Sequence, residues 1–122
     1  MNHRVNEYFW PDSELEKVEV DYDLVCIYIH NDMLNKLVTV RCEQCLGIAN
    51  LVLWDEVIIE KISVNEVSAG DSEFVDRIKQ YYDQAREDVY KRGFGIVYNL
   101  EIRFVNGFSF NTYCQGITVI ED

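Results

Sequence analysis

The sequence predicts an α+β domain: an antiparallel meander of about six or seven strands forming a curved sheet or half-barrel, with one long helix packed on it. Apolar and polar residues alternate over several short stretches, which is the period of strands with one buried face. Residues 71–92 instead repeat their apolar positions in steps of three and four, the period of an amphipathic helix. The chain has 122 residues and one proline, so we expect a single domain, 1–122, without a flexible linker.

Seven segments have the apolar pattern of strands. Residues 24–30 are almost continuously apolar, which favours an internal strand. In the segment 57–64 we expect Ile58, Ile62 and Val64 to share one face. Gly47 interrupts the apolar stretch that follows the third segment. The segments are 18–20, 24–30, 37–42, 50–54, 57–64, 96–105 and 108–114.

The last two segments predict a β-hairpin around Asn106-Gly107. A two-residue turn would pair Val105 with Phe108 and place apolar residues opposite polar ones further along the strands. A three-residue loop, 105–107, with a left-handed glycine avoids this mismatch. The sequence therefore predicts the pairs Phe104 with Phe108, Ile102 with Phe110, and Tyr98 with Cys114.

The predicted helix has its own start and stop signals. Asp71 or Ser72 can accept hydrogen bonds from the first free backbone N–H groups, and Gly93 can adopt the left-handed conformation that ends a helix. We expect the helix to cover one face of the sheet. Its apolar stripe consists of Phe74, Ile78, Tyr81, Tyr82, Ala85 and Val89.

The charge of the chain restricts its partners. The formal net charge is −11, from 22 acidic and 11 basic residues. Such a surface disfavours nucleic acid and anionic membranes, and it favours a basic partner if there is one. The N-terminal residues lack the apolar core of a signal peptide, and no apolar run is long enough to span a bilayer. We therefore expect a cytoplasmic protein.

The four cysteines are Cys26, Cys42, Cys45 and Cys114. Cys42 and Cys45 have the C-x-x-C spacing of zinc or redox sites, which leaves a structural zinc module as one hypothesis. The pair lies in a strand or turn context, however, and the other two cysteines stand alone. We therefore expect reduced structural thiols and no metal, with Cys26 and Cys114 packed in the core.

The sequence offers little for catalysis. It has two histidines, His3 near the N-terminus and His30 beside a predicted turn, and it contains no nucleophile elbow, phosphate loop or metalloprotease motif. Acidic pairs such as Asp21 and Asp23 are expected by chance in so acidic a chain. The prediction is a protein that is not an enzyme and uses no cofactor.

Residues 8–20, Tyr-Phe-Trp-Pro-Asp-Ser-Glu-Leu-Glu-Lys-Val-Glu-Val, combine an aromatic cluster, an Asp-Ser-x-Leu step and an alternating strand. Residues 51–59, Leu-Val-Leu-Trp-Asp-Glu-Val-Ile-Ile, follow two further hairpin-like segments. Over the first half of the chain this pattern resembles immunity proteins of bacterial polymorphic toxin and contact-dependent growth inhibition systems. The resemblance implies a non-catalytic protein that binds and neutralises a cognate toxin domain.

Such a toxin can be a nuclease, whose phosphate-binding face is basic, so we expect an acidic interface. Acidic residues concentrate around the first strand and after Trp54, an aromatic residue of the type that dominates interfaces. The predicted partner-binding residues are Glu19, Asp21, Asp23, Trp54, Asp55 and Glu56. The alternative is a small-ligand binding domain or minor enzyme, with a pocket between helix and sheet lined by helix tyrosines and Tyr98.

Overall fold

The computed structural model describes residues 4–49, 58–67 and 96–121. These residues form one antiparallel sheet, and their only helical element is a 3-10 turn, Val5–Glu7. The predicted α+β class is therefore wrong for the described part of the chain, which is all-β apart from that turn. The predicted helix, 71–92, lies outside the described residues. The strands are β1 (Glu14–Asp21), β2 (Leu24–Asn31), β3 (Lys36–Ala49), β4 (Ile59–Val67), β5 (Val97–Phe104) and β6 (Ser109–Glu121).

The strand order corrects the prediction of a single continuous meander. The order is β1-β2-β3-β6-β5-β4, so two three-stranded meanders meet where β3 pairs with β6. This central pairing runs from Val38 opposite Glu121 to Ala49 opposite Asn111. It joins the two longest strands, of 14 and 13 residues, which allows the largest number of backbone hydrogen bonds in the sheet.

The two outer strands of the sheet meet at one point. The N–H of Asp12 donates to the carbonyl of Ile59 at 3.0 Å, and the N–H of Ile59 donates to the carbonyl of Ser13 at 2.8 Å. Glu14 and Ile58 form an isolated antiparallel bridge beside these bonds. The base of β1 is therefore joined to the start of β4. Among the described residues, the rest of β1 pairs only with β2.

The core lies on the face enclosed by this curved sheet. In β2, Val25, Ile27 and Ile29 are buried and alternate with half-buried neighbours, as expected for an internal strand. Trp10 closes the base of the core, and its indole N–H donates to the carbonyl of Val5 at 2.9 Å. The other core side chains include Leu15, Val38, Val40, Cys42, Ile62, Leu100, Ile102, Phe104, Phe110, Ile117 and Val119.

A bulge changes the predicted buried face of β4. The register shifts between Ile59 and Lys61, so one extra residue separates the first buried position from the next. The structure consequently buries Ile59 and Ile62, whereas Ile58 is only half-buried. The prediction that Ile58 shares a face with Ile62 and Val64 is wrong, because strict alternation does not continue through the bulge.

The opposite face of the sheet also buries apolar residues, at the β4-β5-β6 side. Val97 and Tyr113 are buried there, and Leu46, Ala49 and Val67 pack against them. This second cluster explains why residues 110–114 of β6 are buried without interruption. Asn111 and Thr112 are included in that run, so the strand does not have a simple polar and apolar face.

The predicted register of the C-terminal hairpin is confirmed. Ile102 pairs with Phe110, and Tyr98 pairs with Cys114. The N–H of Phe104 donates to the carbonyl of Phe108 at 2.9 Å, which closes the three-residue loop. Gly107 has a φ of 95°, a backbone conformation that costs glycine little.

Candidate functional site

The tip of the β1–β2 hairpin holds an unusual tyrosine. Asp21 and Leu24 form the last pair of the two strands, so Tyr22 and Asp23 make a two-residue turn. Tyr22 has a φ of 61°, in the left-handed region that hairpin turns normally fill with glycine, asparagine or aspartate. This conformation costs a residue with a Cβ about 1–2 kcal/mol. The side chain is 92% exposed, so burial in the core does not offset that cost.

The hairpin tip is fastened to the neighbouring part of the sheet. The N–H of Cys45 donates to the carbonyl of Asp23 at 2.7 Å. Cys45 lies at the bulge of β3, next to Gln44, whose φ of 50° is also left-handed. The bulge directs the N–H of Cys45 towards the hairpin tip instead of towards the strand that pairs with β3. The exposed tyrosine is thus presented by a braced turn.

Three of the six predicted partner-binding residues lie within three positions of Tyr22 in the sequence. Glu19, Asp21 and Asp23 are all exposed, and all belong to β1 or its turn. Within the described ranges, no basic side chain lies within salt-bridge distance of Asp21 or Asp23. The tip therefore combines an exposed aromatic ring with two carboxylates free to attract a cation.

Glu19 differs from the two aspartates because it already has local partners. Lys17 Nζ lies 2.8 Å from Glu19 Oε1, and the Tyr28 hydroxyl donates to Glu19 Oε2 at 3.2 Å. Lys17 also lies over the Tyr28 ring, 4.7 Å from its centroid. The hydrogen bond from Lys17, followed by that from Tyr28, lowers the pKa of Glu19. Much of the attraction that Glu19 could offer a partner is consequently used within β1 and β2.

The other three predicted partner-binding residues, Trp54, Asp55 and Glu56, lie outside the described residues. Sequence reasoning gave Trp54 the role of aromatic anchor and did not select Tyr22. The observation that could have identified it is an aromatic residue between two aspartates, in the short connection between two alternating segments. The turn there requires a positive φ, and tyrosine is an uncommon residue for it.

A shallow groove at the opposite end of β2 is the second surface feature. Phe9, Met33 and Leu34 are exposed around an opening of about 290 Å³. The buried Asn31 side chain braces it by donating to the carbonyl of Phe9 at 3.0 Å and accepting from the N–H of Leu34 at 2.9 Å. Its remaining walls are Arg4, Glu7, Tyr8 and Glu121, so the rim has both signs of charge.

The cysteines are free thiols in the structure. Cys114 is buried in the core as predicted, but Cys26 is half-buried, because it pairs with Glu19 and Arg41 on the outer face of the sheet. The hydrogen bond to Cys114, followed by burial, raises the pKa of Cys42. Burial raises the pKa of Cys45 to about 11. In the described residues, no group of three or more His, Cys, Asp or Glu side chains could hold a metal ion.

We expect Cys26 to react with a disulfide reagent well before the other three thiols at pH 8. Cys42 and Cys114 are buried, and a pKa of about 11 leaves only about one thiolate in a thousand at Cys45. Timed labelling of the native protein measures this, and Cys26→Ser should remove the fast phase. Labelling of Cys45 should accelerate about tenfold for each pH unit below 11. Fast labelling of two thiols at pH 8 would contradict the assignment.

No protein-family model matches the sequence, and a search of curated proteins finds no match. In the described residues, no helix is long and apolar enough to cross a membrane. The geometry and charge of the β1–β2 hairpin are therefore the features that bear on function.

Proposed function

We propose that this chain is an immunity protein, a non-catalytic inhibitor that binds a cognate bacterial toxin domain in the cytoplasm of the producing cell. The supporting observation is Tyr22, an exposed aromatic residue in a strained backbone conformation at a braced hairpin tip. Strain of this kind persists where the surrounding structure maintains it, and it concentrates at functional positions. Tyrosine is also among the residues that contribute most to protein interfaces.

The charge around Tyr22 favours a basic partner. Asp21 and Asp23 flank the ring without a basic neighbour in the described ranges, and the whole chain has a net charge of −11. A nuclease toxin must hold phosphates with lysine and arginine, so its active-site face would attract this hairpin. In the proposed complex the ring of Tyr22 packs on the toxin while the aspartates occupy positions used by phosphates.

The test is the rate of association with the toxin domain encoded beside this protein's gene. Neutralising both aspartates, as Asp21→Asn with Asp23→Asn, should slow association by about threefold to tenfold, because it weakens electrostatic steering. Stopped-flow measurements at rising salt should show the rate of the unmodified protein falling, since the Debye length is about 8 Å at physiological ionic strength.

A matched control removes the same number of charges elsewhere. Glu60 and Glu66 are exposed on β4, and their replacement by glutamine should leave the association rate nearly unchanged. Equal slowing by both pairs would show that total charge, rather than the hairpin, attracts the partner. Absence of any complex with the neighbouring toxin domain, or an association rate independent of salt, would refute the proposal.

A further inference from the structure

Among the described residues, most of the outer edge of β1 has no strand partner. Its base is bonded to the start of β4, but from Lys17 to Asp21 its only strand partner among the described residues is β2. Alternate backbone N–H and C=O groups on this stretch therefore point away from the sheet. An edge of this kind is a template for another extended chain.

The core face of β1 is exposed only at the end of the same stretch, at Val20. Val20 pairs with Val25, so both side chains lie on the core face of the sheet. Val25 is 1% exposed, whereas Val20 is 55% exposed. Leu15, nearer the base, is buried, and Val18 is half-buried. The end of β1 thus presents both free backbone groups and apolar surface, and one added strand would cover both.

Charge restricts which strand could be added. Glu16, Glu19 and Asp21 are exposed along β1, and Lys17 is the only basic residue in that strand. A second copy of this chain, paired edge to edge, would bring two acidic rows together, and like charges on facing strands are destabilising. The same acids attract a strand with lysine or arginine at alternate positions. They disfavour self-association and select a basic partner.

We propose that the edge of β1 from Lys17 to Asp21, which has no second strand partner among the described residues, accepts an extended segment of the partner as an additional antiparallel or parallel strand. A basic side chain of that segment faces Asp21 on the outer face, and an apolar side chain covers Val20 on the core face. This inference rests on the proposed function and specifies how the basic partner is held. Backbone hydrogen bonds supply attachment, while the alternating charges and Val20 select the sequence.

The test uses the whole protein and a blocked synthetic peptide in which lysine alternates with valine. Backbone amide spectra and hydrogen exchange locate the peptide, and a titration gives its affinity. We expect protection of the β1 amides from Lys17 to Asp21. The matched control is the same peptide with alternate backbone nitrogens methylated, which keeps every charge and side chain but removes hydrogen bonds. Its affinity should fall at least about tenfold, because several backbone hydrogen bonds are lost.

The possible results separate this inference from the proposed function. Tight binding of the first peptide only, with β1 amides protected, supports strand addition. Equal binding of both peptides would overturn it, because charge alone would then suffice, and the toxin could still bind at the hairpin tip. Protection of the β4 edge instead of β1, or failure of both peptides to bind, would also overturn it. Association with the toxin domain is measured separately and decides the proposed function.

Discussion

Replacing Phe110 by alanine is expected to lower the free energy of unfolding by about 3–5 kcal/mol. Phe110 is 1% exposed and pairs with Ile102 near the loop end of the C-terminal hairpin. Its ring belongs to the hydrophobic core, so truncation leaves a cavity beside Ile102, where β5 and β6 pair. Urea denaturation followed by circular dichroism measures the change, and the slope of the transition should remain the same.

Phe108 provides a matched control, because it lies two residues before Phe110 and its side chain points to the same face. It is 60% exposed at the hairpin loop, so Phe108→Ala should change stability by no more than about 0.5 kcal/mol. Similar losses for the two variants would mean that the loop phenylalanine also contributes to the core. A small loss for Phe110 would place the hairpin in a different register from the one described.

These two phenylalanines show what the sequence could predict. Alternation and the position of the Asn-Gly pair favour the observed register, because a two-residue turn would place apolar residues opposite polar ones. Alternation also places Phe108 and Phe110 on one face. Alternation does not reveal at which residue of the strand burial ends, because burial depends on the side chains that other strands of the sheet place nearby. The exposure of Phe108 therefore could not be predicted from the pattern.

The larger errors concern long-range pairing. Local pattern indicated only residues 37–42 of β3 and 109–114 of β6 as strand. No local pattern indicates that β3 pairs with β6 rather than with the next strand in sequence. The bulge that buries Ile59 instead of Ile58 is a similar case, since it arises where β4 meets both β5 and the base of β1. Long-range pairing and bulges depend on how distant strands meet in the sheet. The alternation of apolar and polar residues along one strand does not indicate them.

The candidate site was predictable in its charge but not in its geometry. A count of acidic residues located Glu19, Asp21 and Asp23, and all three are exposed. The count could not separate Glu19, which contacts Lys17 and Tyr28, from Asp21 and Asp23, which have no salt bridge to a described basic residue. It also could not identify Tyr22, because the left-handed turn there runs against the usual preference for glycine or asparagine. A residue whose backbone conformation differs from the one that its type prefers is typical of functional positions.

Tyr22→Gly is expected to change stability and binding in opposite directions. Glycine adopts a φ near 61° without the steric cost that tyrosine bears, although it also gains freedom in the unfolded chain. The free energy of unfolding should therefore rise by up to about 1 kcal/mol. Binding of the cognate toxin domain should weaken by about 2 kcal/mol, or about 30-fold in the dissociation constant, because an exposed aromatic anchor is lost.

Two further variants test whether the aromatic ring of Tyr22 causes the effect on binding. Tyr22→Phe keeps the ring and the strained backbone, so it should retain affinity within about threefold while leaving stability unchanged. Tyr22→Asn tolerates the left-handed backbone but lacks the ring, so it should behave like glycine in binding. Calorimetry with the toxin domain and urea denaturation of the free protein measure the two quantities. Unchanged affinity in Tyr22→Gly would show that the strained tyrosine does not contact the partner. A loss of stability in Tyr22→Asn, which has no extra glycine freedom in the unfolded chain, would show that the ring supports the fold instead.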